Sequence, residues 1–208
     1  MSIIPIIKKY ETDKSINKIL ITSSTLSSSN VIEKMKFKKT IHQFYPVDHI
    51  FFSNKFLNYW KPSVAIFLES EIWPCMFKSI KKRNIPLILL NARITHKTFS
   101  RWSKLNFFSQ SIFGLIDIAY PQNNETKIFL KKLNVGNIKK IGNLKYIDND
   151  NLKSNKIDKK LFSQFKKNKT FVAASTHASE EIFAAKTHLL LKRNNKNLIT
   201  IIIPRHIN

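Results

Sequence analysis

Short runs that are apolar throughout alternate along the chain with longer stretches in which apolar residues return every three or four positions. Runs of the first kind, and other short β-rich runs, predict strands at Lys18–Thr22, Thr40–Phe44, Val64–Leu68, Pro86–Leu90, Thr170–Ser175 and Leu198–Pro204, with shorter ones at Asp117–Tyr120 and Ile138–Gly142, Val64–Leu68 reading as a buried strand. The second kind predicts a helix from Asp48, as its cap, through Trp60, with Phe52, Phe56 and Tyr59 sharing a face. Further helices are expected from Pro74 to Lys82, Thr98 to Gln110, Glu125 to Leu133, and from about Ser179 onward. Pro74 fits a first helical turn, where its missing N–H costs little. Fully apolar strands separated by helices imply a parallel sheet covered on both faces, hence an α/β, Rossmann-like architecture.

Between Tyr146 and Lys169 the chain turns polar, rich in Asn, Asp and Lys, and reads as a linker with one amphipathic turn. The expected division is a first domain over residues 1–147, a linker over 148–169, and the opening of a second α/β domain over 170–208. Two strands cannot make a complete doubly wound sheet, so that second domain is expected to be truncated. No repeat appears at solenoid periods.

Composition narrows the function classes. Of 208 residues, 36 are basic and 13 acidic, a formal charge of +23 that favours anionic partners. The excess is spread along the chain and is mostly lysine, which reads as a solvated surface rather than a nucleic-acid arm. A single cysteine excludes an intrachain disulfide framework and a Cys-rich zinc site. No run reaches the roughly 18 apolar residues of a membrane span, and the opening "MSIIPIIKKY", interrupted by Pro5, reads as neither signal peptide nor anchor. No G-x-x-x-x-G-K-[ST] loop is present, and the three glycines do not form a G-x-G-x-x-G dinucleotide fingerprint. No His, Cys or carboxylate grouping has metal-ligand spacing.

Ligands of open α/β sheets bind at the carboxyl ends of the strands, and four polar clusters fall there. They are Glu69-Ser70-Glu71, Asn91-Ala92-Arg93, Ser175-Thr176-His177 and Pro204-Arg205-His206. Glu69 and Glu71 sit either at a crevice rim or in structural roles, Glu71 capping the next helix and Glu69 pairing with a lysine. Ser175 through Glu181 matches a capping box, yet its amides can also hold a phosphate. Arg205 suits a phosphate or a structural ion pair. A lone histidine such as His42 is more often a satisfied structural residue than a ligand.

Taken in order, "HQFYPVD" (His42–Asp48), "ESEIWP" (Glu69–Pro74), "LNARIT" (Leu90–Thr95), "IGNLKYID" (Ile141–Asp148), "AASTHASEE" (Ala173–Glu181) and "IIIPRH" (Ile201–His206) closely resemble the 3-deoxy-D-manno-octulosonic acid (Kdo) transferases of Gram-negative bacteria. The likeness runs from about Ile3 to His206. It implies a GT-B glycosyltransferase with two Rossmann-like domains. It further implies inverting transfer of Kdo from CMP-Kdo to the lipid A precursor in lipopolysaccharide biosynthesis, at the cytoplasmic face of the inner membrane, with no cofactor or metal. Carried over by position, Glu69 and Glu71 are catalytic candidates and Arg93 lies on the acceptor side. Ser175, Thr176, His177, Arg205 and His206 fall on the donor side, toward the CMP phosphate. The implied partners are CMP-Kdo, the lipid A precursor and the anionic inner-membrane surface, with no nucleic acid. The family's Gly-Glu loop, which carries its proposed general base, has no counterpart in these residues, and the nucleotide pocket is only begun. The chain alone is therefore expected to lack transfer activity. Two other readings share the pattern: a non-catalytic GT-B-derived binding remnant, and a GT-B transferase using another nucleotide sugar.

Overall fold

Every strand pair in the computed structural model is parallel among the described residues, 3–144 and 158–205. The chain divides into two compact units, Met1–Asp150 and Asn151–Asn208.

The first unit runs α1 (Ile4–Thr12), β1 (Ile19–Ser23), α2 (Leu26–Lys34), β2 (Thr40–Phe44), α3 (Ile50–Trp60), β3 (Ala65–Leu68), α4 (Pro74–Lys81), β4 (Leu87–Ala92), α5 (His96–Ser103), α6 (Asn106–Phe113), β5 (Ile118–Pro121) and α7 (Asn124–Lys132). β1 pairs with β2, from Ile19 opposite Thr40 to Ser23 opposite Phe44. β4 lies between β3 and β5 in a second sheet. Its Leu87, Leu89 and Ala92 are fully buried, as a central strand covered on both faces requires. Phe77, Ile80, Ile112, Phe113 and Leu130 from α4, α6 and α7 complete the core there. Tyr45, just past β2, packs on Phe67 of β3 and Trp73 beyond it. That contact brings the carboxyl ends of the two sheets together.

The second unit holds α8 (Lys159–Lys167), β6 (Lys169–Thr176), α9 (Glu180–Asn194) and β7 (Leu198–Pro204), with β6 and β7 paired from Lys169 opposite Leu198 onward.

Several expectations need correction. Asp48 does not cap α3. His49 does, its ring accepting from the Phe51 amide. The face of α3 turned inward carries Ser53 and Leu57, while Phe52 and Tyr59 are exposed. The helix expected over Thr98–Gln110 is two helices broken at Leu105, whose ψ of 31° leaves the helical region. The break turns α6 back so that Phe108 stacks on Trp102 and Phe113 meets the same ring edge-on at 5.2 Å. The strand expected at Ile138–Gly142 is a single bridge, Ala119 to Ile138. Helices α1 and α2 fall where no element was expected. In α1, Pro5 sits in the first turn and only Ile7 is buried, so the apolar pattern is thin. In α2 a run of serines hides the period behind a cap, Thr25 accepting from the Ser28 amide. Much of the expected linker lies outside the described residues, but its amphipathic turn falls within α8.

Candidate functional site

β3 is apolar until Leu68 and then stops, because Glu69 takes a left-handed conformation at φ 54°. For a residue with a Cβ this costs about 1–2 kcal/mol. Hydrogen bonds on both sides hold it. The Glu69 amide donates to Leu90 O at 3.1 Å, and the Arg93 amide donates to Glu69 O at 3.1 Å. Asn91 repeats the device one strand over, at φ 52°. Adjacent strands thus leave the regular ladder at the same level, and a rim of loops opens beyond them. The Ser70 hydroxyl closes the joint by donating to Arg93 O at 2.7 Å. The structure therefore brings the Glu69–Glu71 and Asn91–Arg93 clusters together. Glu69 is half-buried, while Glu71 and Arg93 are exposed.

Glu71 is engaged by its own turn: Trp73 Nε1 donates to its Oε2 at 2.8 Å. It does not cap α4. That task falls to Asp48, whose two oxygens accept from the amides of Cys75 (3.2 Å) and Met76 (2.9 Å). A carboxylate facing two otherwise unpaired amides at a helix head suits both the orphan donors and the dipole. Pro74 leaves one fewer amide to satisfy. Between these acids lies Tyr45, its ring 4.8 Å from Trp73. Its hydroxyl is buried and has no hydrogen-bond partner among the described residues. Burial, then Asp48 and Glu71, push the phenol far above its ordinary value, so it stays protonated.

Asn91 is 1% exposed. Its Oδ1 accepts from the Leu144 amide at 3.2 Å, tying the motif segment that begins at Ile141 to the rim, while its Nδ2 is buried without a partner among the described residues. Asn143 Nδ2 donates to Gln122 Oε1 at 3.1 Å. Beyond Arg93, buried Thr126 receives the Ile94 amide at 3.3 Å and anchors the loop to α7.

In the second unit Ser175 is left-handed at φ 59°, and the β6–β7 register shifts there, between Ala174 and Thr176. Thr176 is buried and donates to Glu181 Oε1 at 2.6 Å; the His177 amide donates to Glu180 Oε2 at 2.7 Å. The Thr176 hydroxyl foremost holds the Glu181 carboxyl below its usual range. The Arg205 amide donates to Thr176 O at 2.9 Å, so Ser175, Thr176, His177 and Arg205 share one strand edge. The capping contacts engage Thr176, Glu180 and Glu181, and the side chains of Ser175, His177 and Arg205 are exposed. His206 lies outside the described residues.

Sequence reasoning passed over Tyr45 and Asp48 as site residues, although "YPVD" is itself a polar cluster at the end of β2. It named the Asn91–Arg93 cluster but gave Asn91 no role of its own, since its left-handed backbone has no sequence signature beyond the tolerance of Asn for it. Among the described residues, no group of three or more His, Cys, Asp or Glu is placed to hold a metal.

Known proteins resemble this chain as follows. A family model described as 3-Deoxy-D-manno-octulosonic-acid transferase (kdotransferase) matches residues 1–148. The 3-deoxy-D-manno-octulosonic acid transferase of Rickettsia felis is 34% identical over 190 residues, covering 91% of this chain and 40% of that one. The probable mitochondrial 3-deoxy-D-manno-octulosonic acid transferase of Arabidopsis thaliana is 30% identical over 213 residues, covering 99% and 48%. The chain thus spans less than half the length of these relatives. Among solved structures, a putative UDP-N-acetylglucosamine 2-epimerase from Listeria monocytogenes superposes with a TM-score of 0.62 at 13% identity, covering 100% of this chain and 60% of that one. The UDP-GlcNAc 2-epimerase of Neisseria meningitidis bound to UDP-GlcNAc gives 0.60 at 14%, covering 100% and 63%. At such identities the likeness concerns the fold alone, an α/β architecture of the GT-B type.

Proposed function

Because the chain belongs to the 3-deoxy-D-manno-octulosonic acid (Kdo) transferase family, we propose that it is part of a glycosyltransferase that moves Kdo from CMP-Kdo onto a hydroxyl of the lipid A precursor. The acceptor oxygen attacks the anomeric carbon from the face opposite the nucleotide. The bond from that carbon to the phosphate oxygen breaks, CMP leaves with the electron pair, and the configuration inverts. Two demands follow: charge complementary to the developing transition state, and removal of the acceptor proton.

The observation that carries this reading is the joining of two motif loops at one strand edge, Glu69 bonded through its backbone to Leu90 and Arg93, and Ser70 bonded to Arg93. Glu69 supplies negative charge toward the reacting hydroxyl and the positive charge that develops on the sugar ring. Glu71 shapes the turn through Trp73. Arg93, exposed beside them, receives an anionic group of the acceptor. In the second unit, His177, Arg205 and the Ser175–Thr176 turn receive the departing phosphate, with His206 following in the chain. No metal enters this scheme.

The place of action is the cytoplasmic face of an anionic inner membrane, reached peripherally. Supporting this are the charge of +23 and the aromatic rings held in solvent, Phe51 at 63%, Tyr59 at 78% and Phe107 at 86% exposure. No described helix is long and apolar enough to cross a membrane.

The test is transfer by the protein expressed from its complete reading frame. With CMP-Kdo and a tetraacylated lipid A precursor, the acceptor is expected to gain the mass of Kdo as CMP is released, and UDP-N-acetylglucosamine is expected to give no product. No mass gain from CMP-Kdo, or transfer from the UDP-sugar instead, would overturn the reading.

A further inference from the structure

Helix α3 turns Ser53 and Leu57 into the core and keeps a second apolar face outside it. Phe52, Lys55, Phe56 and Tyr59 stand three or four residues apart and share that face. Together with Trp60, and with Gln43 of β2 and Pro46 just past it, they line an open groove of about 470 Å³. The volume lies within the range of sites for small ligands. Phe56, Trp60, Gln43 and Pro46 form a half-buried floor, and Phe52 and Tyr59 stand exposed.

The lining is apolar by pairing as well as by composition. Trp60 Nε1, the one polar atom of the indole, donates to Gln43 Oε1 at 2.7 Å. Each exposed ring is braced edge-on by a neighbour, Phe52 by Phe51 at 5.4 Å and Tyr59 by Trp60 at 5.1 Å. Lys55 is the charged residue of the lining, and from His49 to Leu68 the chain has no acidic residue. An apolar groove with one cation at its lip suits a long hydrocarbon chain joined to an anionic head. Position adds a second argument, because the groove and the candidate site share a loop. Tyr45 packs on Trp73 at 4.8 Å, Trp73 holds Glu71, and Pro46, the next residue after Tyr45, lines the groove.

We infer that the α3 groove seats one acyl chain of the lipid acceptor, with Lys55 turned to the acceptor's anionic head. The inference rests on the transfer reading above and extends the acceptor site beyond the Glu69–Arg93 rim. An acceptor whose sugar hydroxyl lies at that rim sends a chain past the Tyr45–Pro46 corner and along α3. The chain is held alike in the ground state and in the transition state. The groove therefore governs KM for the acceptor and leaves kcat unchanged.

The experiment has two readouts on the protein expressed from its complete reading frame. The first is transfer to the tetraacylated lipid A precursor in detergent by a variant carrying Phe52→Ser and Tyr59→Ser. Both side chains are exposed, so the fold is expected to persist. KM for the acceptor is expected to rise on the order of tenfold, while kcat and KM for CMP-Kdo stay at wild type. The second readout needs no transfer. Dodecanoic acid brominated at its chain end, kept below its micelle concentration, is expected to quench Trp60 saturably. That quenching should vanish in Trp60→Phe and weaken in the double variant. A wild-type acceptor KM in the folded double variant, an equal rise in both KM values, or no saturable quenching would overturn the groove assignment alone. An effect seen with the acceptor in anionic vesicles and absent in detergent would mean a bilayer contact and would overturn it too. A wild-type protein that transfers no Kdo while Trp60 is still quenched would overturn the transfer reading and leave the groove as an acyl site.

Discussion

Replacing Asp48 by alanine removes the acceptor for the Cys75 and Met76 amides at the head of α4. Loss of an N-cap typically costs about 1 kcal/mol, within a range of roughly 0.5–2. Two features push this case upward. The acceptor is charged, and hydrogen bonds to charged groups contribute about 1.5–3 kcal/mol. The Met76 side is also 1% exposed, so water cannot readily replace the lost partner. We expect a loss of about 2–3 kcal/mol, which for a chain of this size lowers the melting temperature by roughly 4–12 °C. Asp48→Asn keeps one acceptor oxygen and should forfeit about 1 kcal/mol, largely the charge–dipole part. All three tryptophans, Trp60, Trp73 and Trp102, lie in the first unit. Intrinsic fluorescence in a urea titration therefore follows that unit's unfolding without interference from the second. The midpoint is expected to fall with the slope unchanged. An alanine variant within about 0.5 kcal/mol of wild type would refute the assignment of Asp48 as the α4 cap, since that is the range of an ordinary surface change.

Other consequences can be checked in the same assay. Phe77 is fully buried, edge-on to Phe67 at 4.8 Å, and Phe77→Ala should cost about 3–5 kcal/mol through lost transfer energy and a cavity; a loss under about 1 kcal/mol would contradict the packing. Glu11 binds the start of β2: desolvation alone would raise its carboxyl, but hydrogen bonds from Thr40, Lys39 and Lys38 outweigh it and hold the group below its ordinary value. A depressed folded value means stability that is present above the ordinary carboxylate range and lost as pH falls through the depressed one. Glu11→Gln should therefore flatten the acid side of the stability profile, and an unchanged profile would contradict this. Asp117 has the same sign: desolvation would raise it, while the Lys81 ammonium at 2.7 Å and the Leu87 amide lower it more.

What the pattern of residues revealed, and what it concealed, has physical causes. The apolar run that became β4 was legible because a central parallel strand covered on both faces cannot hide its composition, while β3 and β7, only partly buried, still carried predominantly apolar runs. The parallel pairing followed from the helices between them. Helix α2 was hidden because its residues Leu26–Asn30 include three serines, and hydroxyls near a cap erase the 3.6 period. The break at Leu105 depends on Trp102 meeting Phe108 and Phe113, a tertiary preference that no local signal carries. At the site, the strand-end clusters marked the rim, because polar residues after a buried strand have few other uses. The pairing of Asp48 with α4 was not legible: a carboxylate one residue before a cap position looks like that helix's own cap, while its partner lies 28 residues away.

The most direct measurement is the rate of Kdo transfer by Glu69→Gln beside Glu71→Gln, each in the protein expressed from its complete reading frame and each with its unfolding midpoint recorded. Glutamine keeps size and hydrogen-bonding capacity and removes only the charge. The account predicts that Glu69→Gln retains wild-type stability and loses transfer by on the order of a hundredfold or more. Glu71→Gln, whose remaining carbonyl oxygen can still accept from Trp73, should lose less. A folded Glu69→Gln variant that transfers Kdo at a near-normal rate would contradict the account.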